Sequence, residues 1–301
     1  MPLLSVLIPL RNAGATAELA VRSTLRALPR DGELVVWDDD SEDDSVAQLE
    51  CISDPRLRVI RSAESVGPGG AMQQLLDRTD SKFVARMDAD DICLPWRFFA
   101  QLGPLRDDSC DYVFSPVISF RTRPLRMRPE LPIPISATAM PFHLAVTNLL
   151  SQPSMTASRS AIQSAGGYRA MLASDYDLWL RACAQGQRLT RLWLPSVLYR
   201  MHTGQISASA DYHSQVARSP QMQEAYRSFL NEVLGIDVPA GPGLDGRFPR
   251  ADPSAIRSAI LARSGDLRGV QRRLLYRTMR YLTVDSALTE SDPTGGHAPQ
   301  R

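Results

Sequence analysis

The chain opens on an apolar run, residues 4–10, that is too uniform for a strand with one wet face. A parallel strand covered on both sides reads this way. Asn12-Ala13-Gly14 follows as a turn, and Thr16 is placed to cap a helix reaching about Leu28. The alternation then repeats. Residues 33–37 predict a second strand, 45–51 a helix, 57–60 a third strand, 71–76 a helix opened by Gly67-Pro68-Gly69-Gly70, and 83–87 a fourth strand. This order predicts an α/β fold with a mostly parallel sheet.

Beyond it, residues 95–105 predict a helix and 112–120 one strand. Residues 121–141, rich in Pro and Arg, read as an irregular excursion, and apolar periodicity returns at 142–150. A helix is expected at 176–185 and a strand at 192–200. Past residue 205 the pattern turns helical, at 211–233 and 253–283, around a Gly/Pro-rich linker at 239–249. The expected organisation is an α/β domain over 1–205, a helical region over 206–285 and a polar, disordered tail over 286–301.

With 301 residues, 44% of them hydrophobic, the chain is long enough for a sizeable core. A net charge of +1 offers no global field for a nucleic-acid partner, and none is expected. Cys51, Cys93, Cys110 and Cys183 are scattered without a Cys-x-x-Cys pair, which argues against structural zinc and for a reducing compartment. Cys93 reads as a packing thiol beside the acidic cluster described next. The apolar N-terminus lacks the basic flank of a signal peptide, and no run reaches the ~18 residues of a membrane span. The expected location is cytoplasmic.

Arg86-Met87-Asp88-Ala89-Asp90-Asp91 places three carboxylates where the fourth strand should stop. On an extended backbone Asp88 and Asp90 point the same way. Like charges so close call for a cation between them, and hard oxygen ligands at this spacing suit Mg²⁺ or Mn²⁺. Taken alone, the cluster also reads as an acidic turn with Asp91 capping the next helix. Two further polar clusters, 9–12 and 38–41, fall at the ends of other strands. Ligands of open α/β sheets bind at those carboxyl ends, so the coincidence points to one shared pocket.

Four blocks, in order, resemble family 2 glycosyltransferases of the GT-A fold. They are Val6-Leu7-Ile8-Pro9-Leu10-Arg11-Asn12, then Asp38-Asp39-Asp40-Ser41-Glu42-Asp43, then Ala85 to Asp91 with Pro95, Arg97 and Gln101, and last Gly166-Gly167-Tyr168 leading to Ser174-Asp175-Tyr176-Asp177-Leu178-Trp179-Leu180-Arg181. The third block is the specific one. The resemblance covers residues 1–205 and implies a Rossmann-like sheet flanked by helices, with the C-terminal helices as an extension.

It also implies an inverting transfer of a sugar from a nucleotide-diphosphate donor, a UDP-sugar, to a hydroxyl of a glycan or lipid-linked acceptor. The implied setting is bacterial cell-surface polysaccharide or lipid-linked glycan synthesis. Asp90 is the implied direct ligand of Mn²⁺ or Mg²⁺, and Asp88 contacts the ribose or the metal. Asp39 accepts the N3–H of uracil, and Pro9 and Arg11 line the base. Asp175 is the implied general base. His202 completes the metal shell or touches the diphosphate. Arg86 or Arg200 neutralises phosphate. Asp177 is expected to serve as a first-turn helix carboxylate, and Trp179 as a core residue with one edge at the acceptor site.

The chain departs from the family at Arg11, where an aromatic is common, and in three further places. Ser65 stands where Asn is common, Met72-Gln73 where an Arg-Asn pair is common, and Ser174 where an acidic residue is common. Two rivals stay open at this level: a nucleotidyltransferase, and a non-catalytic nucleotide-sugar or glycan-binding module. The C-terminal arginines, Arg263 to Arg280, sit among Leu274, Leu275, Tyr276 and Met279. Such a helix either packs its apolar stripe inward or lies on an anionic membrane at the inner face.

Overall fold

A computed structural model describes residues 1–122, 125–206, 209–238 and 252–282. The linker expected at 239–249 and the tail expected at 286–301 lie outside the described residues. The main sheet has seven strands in the order β10-β6-β9-β4-β1-β2-β3. These are β1 (Leu4–Leu10), β2 (Gly32–Asp38), β3 (Leu57–Arg61), β4 (Phe83–Arg86), β6 (Tyr112–Phe114), β9 (Thr156–Ser158) and β10 (Leu189–Arg191). All run parallel except β9, which is antiparallel to both β4 and β6. The order reverses between β1 and β4, and that switch opens a crevice above their carboxyl ends.

Both faces of the sheet are covered, as the uniform β1 run requires. Leu4, Val6, Ile8 and Leu10 enter one apolar core and Leu7 enters the other. The helices α1 (Ala17–Ala27), α2 (Ser45–Glu50), α3 (Gly67–Asp77) and α4 (Arg97–Arg106) connect the first strands. The glycines do not precede α3; they form its first turn. Gly69 is required there, because a Cβ would lie 2.4 Å from the Arg169 carbonyl oxygen and 3.0 Å from the Ser174 side chain.

The run 112–120 is not one strand. It breaks at Ser115-Pro116, and the chain passes from β6 into β7 (Val117–Thr122) of a second sheet. Proline has no N–H for the ladder, so the break falls there. The second sheet has the order β5-β11-β7-β8, with β5 (Ile92–Cys93), β8 (Leu125–Pro129) and β11 (Val197–Arg200). The expected excursion at 121–141 therefore begins as a β7–β8 hairpin. Of the expected strand 192–200 only β11 forms; β10 has already ended at Arg191, and residues 192–196, with Pro195 among them, lie between the two strands.

Three short helices follow in the second half of the sheet domain: α5 (Met140–Leu144), α6 (Arg159–Ser164) and the longer α7 (Ser174–Ala184). The C-terminal region supplies α8 (Tyr212–Arg218), α9 (Pro220–Phe229) with a π turn over Leu230–Leu234, α10 (Pro253–Arg263) and α11 (Gly269–Thr278). Its buried residues Tyr226, Phe229, Leu234, Ile260, Leu275 and Met279 belong to the same apolar core as Leu7, Trp179 and Leu180. In α11 the stripe Leu275 and Met279 faces that core, while Arg272, Arg273, Arg277 and Arg280 face outward. Among the described residues no helix is long and apolar enough to cross a membrane.

Candidate active site

The loops after β1 and β2 are stitched together by short polar side chains. Asn12 adopts φ +50°, which Asn tolerates better than most residues. Its N–H donates to Ser41 Oγ at 2.9 Å, and its Oδ1 accepts from Glu42 N at 2.9 Å. Asp43 Oδ2 accepts from Gly14 N at 2.9 Å, and Asp38 Oδ1 accepts from Ser41 N at 3.2 Å. Much of the acidic run 38–44 is thus spent on holding the two loops.

Asp39 lies deeper. Its Oδ1 accepts from Val66 N at 2.8 Å and Trp37 Nε1 at 3.3 Å. Its Oδ2 accepts from Ser65 Oγ at 2.8 Å and Gly67 N at 2.9 Å. Burial pushes this carboxyl up, but the donors from Val66, Ser65, Trp37 and Gly67 outweigh it and hold it below the usual range. Ser65 Oγ in turn accepts from Arg11 at 2.6 Å. The Ser that replaces the family's Asn is therefore the link between Arg11 and Asp39.

After β4 the carboxylates Asp88, Asp90 and Asp91 each offer an oxygen within 4.8 Å of the others. Arg86, nearly buried, pairs with Asp88 Oδ1 at 2.8 Å. His202 Nε2 lies 2.8 Å from Asp90 Oδ2. Asp91 is no helix cap. It is buried, its Oδ1 accepts the Arg200 N–H at 2.7 Å, and its Oδ2 has no hydrogen-bond partner among the described residues. Burial, then the charges of Asp88 and Asp90, push Asp91 well up. Burial and Asp88 also raise Asp90, against the opposing bond from His202. Three crowded carboxylates, one with an orphaned oxygen, fit a hard divalent cation.

The cluster is fixed from below by buried polar groups. Arg97, fully buried, donates to the carbonyls of Arg86 at 2.7 Å and Met155 at 2.9 Å. Gln101 donates to the Ser154 carbonyl at 2.7 Å and accepts from Thr156 Oγ1 at 2.7 Å. From the second sheet, Arg200 Nε donates to the Asp90 carbonyl at 2.7 Å.

Pro9, Arg11, Asp39, Arg86, Asp88, Asp90, Arg200 and His202 all line one cavity of about 1050 Å³ at the β1/β4 switch. The sequence-derived donor and metal residues are thus brought together. Asp175 is not in that wall. It sits in the first turn of α7, after Ala173 in the left-handed region at φ +52°. Its Oδ2 accepts from Asn148 Nδ2 at 3.1 Å. Burial raises its pKa, with the nearby Arg86 charge among the opposing causes.

Asp177 lies in the first turn of α7 as expected, and it is also fully buried, paired to Arg181 at 2.6 Å and to Arg169 at 3.1 Å. Trp179 lies wholly in the core, edge-on to Tyr112 and Phe114, with no edge on an open site. Met72 is core, and Gln73 Oε1 accepts from Tyr168 N at 2.8 Å, so this pair braces the Gly166-Gly167 turn. Asn148 is a site residue that sequence reasoning missed. Its only signal is a polar side chain inside the apolar run 144–150.

The chain is 29% identical over 198 residues to "Uncharacterized protein MT1568" of Mycobacterium tuberculosis (strain CDC 1551 / Oshkosh), covering 60% of this chain and 61% of that one. It is 27% identical over 112 residues to the Escherichia coli "UDP-Glc:alpha-D-GlcNAc-diphosphoundecaprenol beta-1,3-glucosyltransferase WfgD", covering 37% of this chain and 44% of that one. Each match spans less than two thirds of the relative's length. The fold is shared with S. aureus TarS 1-349, whose structure was determined in complex with UDP-GlcNAc, at a TM-score of 0.62 and 15% identity over 96% of this chain and 92% of that one. The profile of "Glycosyl transferase family 2" matches residues 5–163, more than half of the sequence, and the chain belongs to that family.

Proposed function

We propose that this protein is a metal-dependent, inverting glycosyltransferase that moves a sugar from a UDP-sugar to a hydroxyl of a glycan or lipid-linked acceptor. The observation that carries the reading is the convergence of Asp39, Asp88, Asp90, His202 and Arg200 on one cavity at the sheet's switch point. The E. coli relative, whose name records a UDP-glucose donor and a diphosphoundecaprenol-linked acceptor, supports the same class of substrates. Bacterial surface-polysaccharide or lipid-linked glycan assembly is the setting that fits, on the cytoplasmic side where nucleotide sugars are made.

In this reading the uracil lies between Pro9, Arg11 and Asp39. Asp39 already accepts four bonds, so the base N3–H takes the place of the Ser65 hydroxyl, the one donor of the four free to rotate. Asp88, Asp90 and His202 hold Mn²⁺ or Mg²⁺, with Asp91 behind them. When bound, the ion acts as a Lewis acid that stabilises the charge growing on the leaving diphosphate. Arg200 adds a fixed positive charge on the same wall. Asp175 takes the proton of the acceptor hydroxyl as its oxygen attacks the anomeric carbon from the face opposite the diphosphate. The C–O bond to the diphosphate breaks as the new one forms, and the configuration inverts. A carboxylate raised by burial is a better base at neutral pH than an ordinary one.

Calorimetric titration of UDP, with and without Mn²⁺, tests the donor site. The wild type is expected to bind UDP with Mn²⁺ and to lose that binding in Asp90→Ala. UDP affinity indifferent to both would refute the metal role, and no UDP binding at all would refute the donor assignment.

A further inference from the structure

A second cavity, of about 430 Å³, lies away from the donor pocket and is not used by the mechanism above. Arg191 ends β10, at the same carboxyl edge of the sheet that carries the donor pocket, but above the β6/β10 half. Asn148 belongs to this second wall, and the same Asn148 holds the carboxylate of Asp175. Asn148 thus ties the carboxylate of Asp175 to this second wall.

The lining is chemically mixed. Arg191 and His143 are buried, and each retains one nitrogen, Arg191 Nε and His143 Nε2, without a hydrogen-bond partner among the described residues. Buried nitrogens without partners are uncommon in folded proteins and call for an explanation. Leu149, Leu274 and Tyr281 supply apolar surface, as sugar rings require alongside polar groups. Arg277, on the exposed rim, makes no ion pair with a described carboxylate. Arg191 faces Glu130 at 3.7 Å, so it is Arg277 that is uncommitted.

The C-terminal region builds one wall of this cavity. Leu274, Arg277 and Thr278 of α11, with Tyr281 just beyond it, close it. That wall is pinned by Thr278 Oγ1, which lies 2.9 Å from His143 Nδ1, and by Gln271, whose Nε2 donates to the Pro134 carbonyl at 2.6 Å.

We infer that this second cavity seats the acceptor, a sugar carrying a phosphate or diphosphate. Its ring lies against Leu274 and Tyr281, and its anion meets Arg277. For the role of Asp175 the inference rests on the transfer reading above; for the binding itself it does not. The C-terminal helices thereby become part of acceptor selection, and the uncommitted Arg277 accounts for an anionic substituent.

Ligand-observed saturation-transfer NMR tests it, with the 1-phosphates of glucose, galactose, mannose and N-acetylglucosamine as probes. Wild type, Arg277→Ala and Leu274→Trp are compared, and UDP titration with Mn²⁺ is run on each as a control. At least one sugar phosphate is expected to bind the wild type, to weaken about tenfold in Arg277→Ala and to be excluded by the bulk of Leu274→Trp, with UDP affinity unchanged. No sugar phosphate binding to the wild type, or equal binding in both variants, overturns the inference. Sugar phosphate binding with the expected losses but no UDP binding would leave this cavity standing and refute the donor assignment instead.

Discussion

Replacing Asp175 by Asn removes the proposed base while keeping its shape. The amide oxygen can still accept from Asn148 Nδ2, which is 3.1 Å from the carboxylate in the wild type. The cost to folding should therefore be that of one altered hydrogen bond, about 1 kcal/mol. The cost to transfer is larger. A positioned general base contributes about 10²–10⁴ in rate, roughly 3–5 kcal/mol of barrier. Because burial raises the Asp175 pKa, the wild-type rate should rise with pH along an acid limb lying above the ordinary Asp value, then level. The variant should lack that limb. The assay is UDP release from a panel of UDP-sugars at saturating Mn²⁺, across pH, beside UDP calorimetry and thermal melting on the same samples. A loss below about tenfold, or an acid limb unchanged in the variant, would show that the proton goes elsewhere. Parallel losses of rate, UDP affinity and melting temperature would show a structural role only.

Two further outcomes concern the scaffold. Asp177→Ala leaves the nearly buried Arg181 without its carboxylate, and breaking such a pair costs about 3–5 kcal/mol, to be read from denaturant midpoints at unchanged slope; a loss under about 1 kcal/mol would refute the role assigned to the pair. Asp39→Asn sets an NH₂ group against the donor at either Val66 or Gly67, its oxygen accepting only from the other, and should cost about 1–3 kcal/mol at pH 7. Since the folded pKa of Asp39 is lowered, its stabilisation is complete above the unfolded value near about 3.9 and is lost as pH falls through the folded one. The gap in melting temperature between wild type and Asp39→Asn should therefore narrow as pH falls below the unfolded value toward the folded one, and a gap constant down to about pH 3 would contradict the assignment.

The first four strands were legible because β1 and β2 are apolar on both faces and each ends in a polar cluster. The switch of sheets at Pro116 was not, because a proline marks a break but not a change of sheet, and only the tertiary fold shows which residues pair with which sheet. The central strand β9 is three residues, Thr156-Ala157-Ser158, with no apolar signal; its place is secured by neighbours on both sides and by Thr156 bonding to Gln101. In the site, Asp88 and Asp90 could be read from spacing. That His202 reaches Asp90 across 112 positions could come only from resemblance, and that Asp91 faces the Arg200 N–H could not be read at all, because the partner is backbone. At the Met72-Gln73 departure from the family the structure gives the pair a packing and turn-bracing role.

The C-terminal helices share one apolar core with α7 and with the sheet residues Leu7 and Val35. That has a consequence for modularity. The segment that matches the family profile ends at residue 163, before the helix that carries Asp175 and before every residue of that C-terminal packing. It is a unit of ancestry, not of folding. A fragment cut there would bare the face that α7, α9 and α11 cover, and a chimera joining it to another relative's C-terminal half would have to rebuild the interior rather than exchange a surface. With α11 lining the inferred acceptor cavity, new acceptor preferences are expected more readily from point substitution on its outer turns than from swapping the region whole.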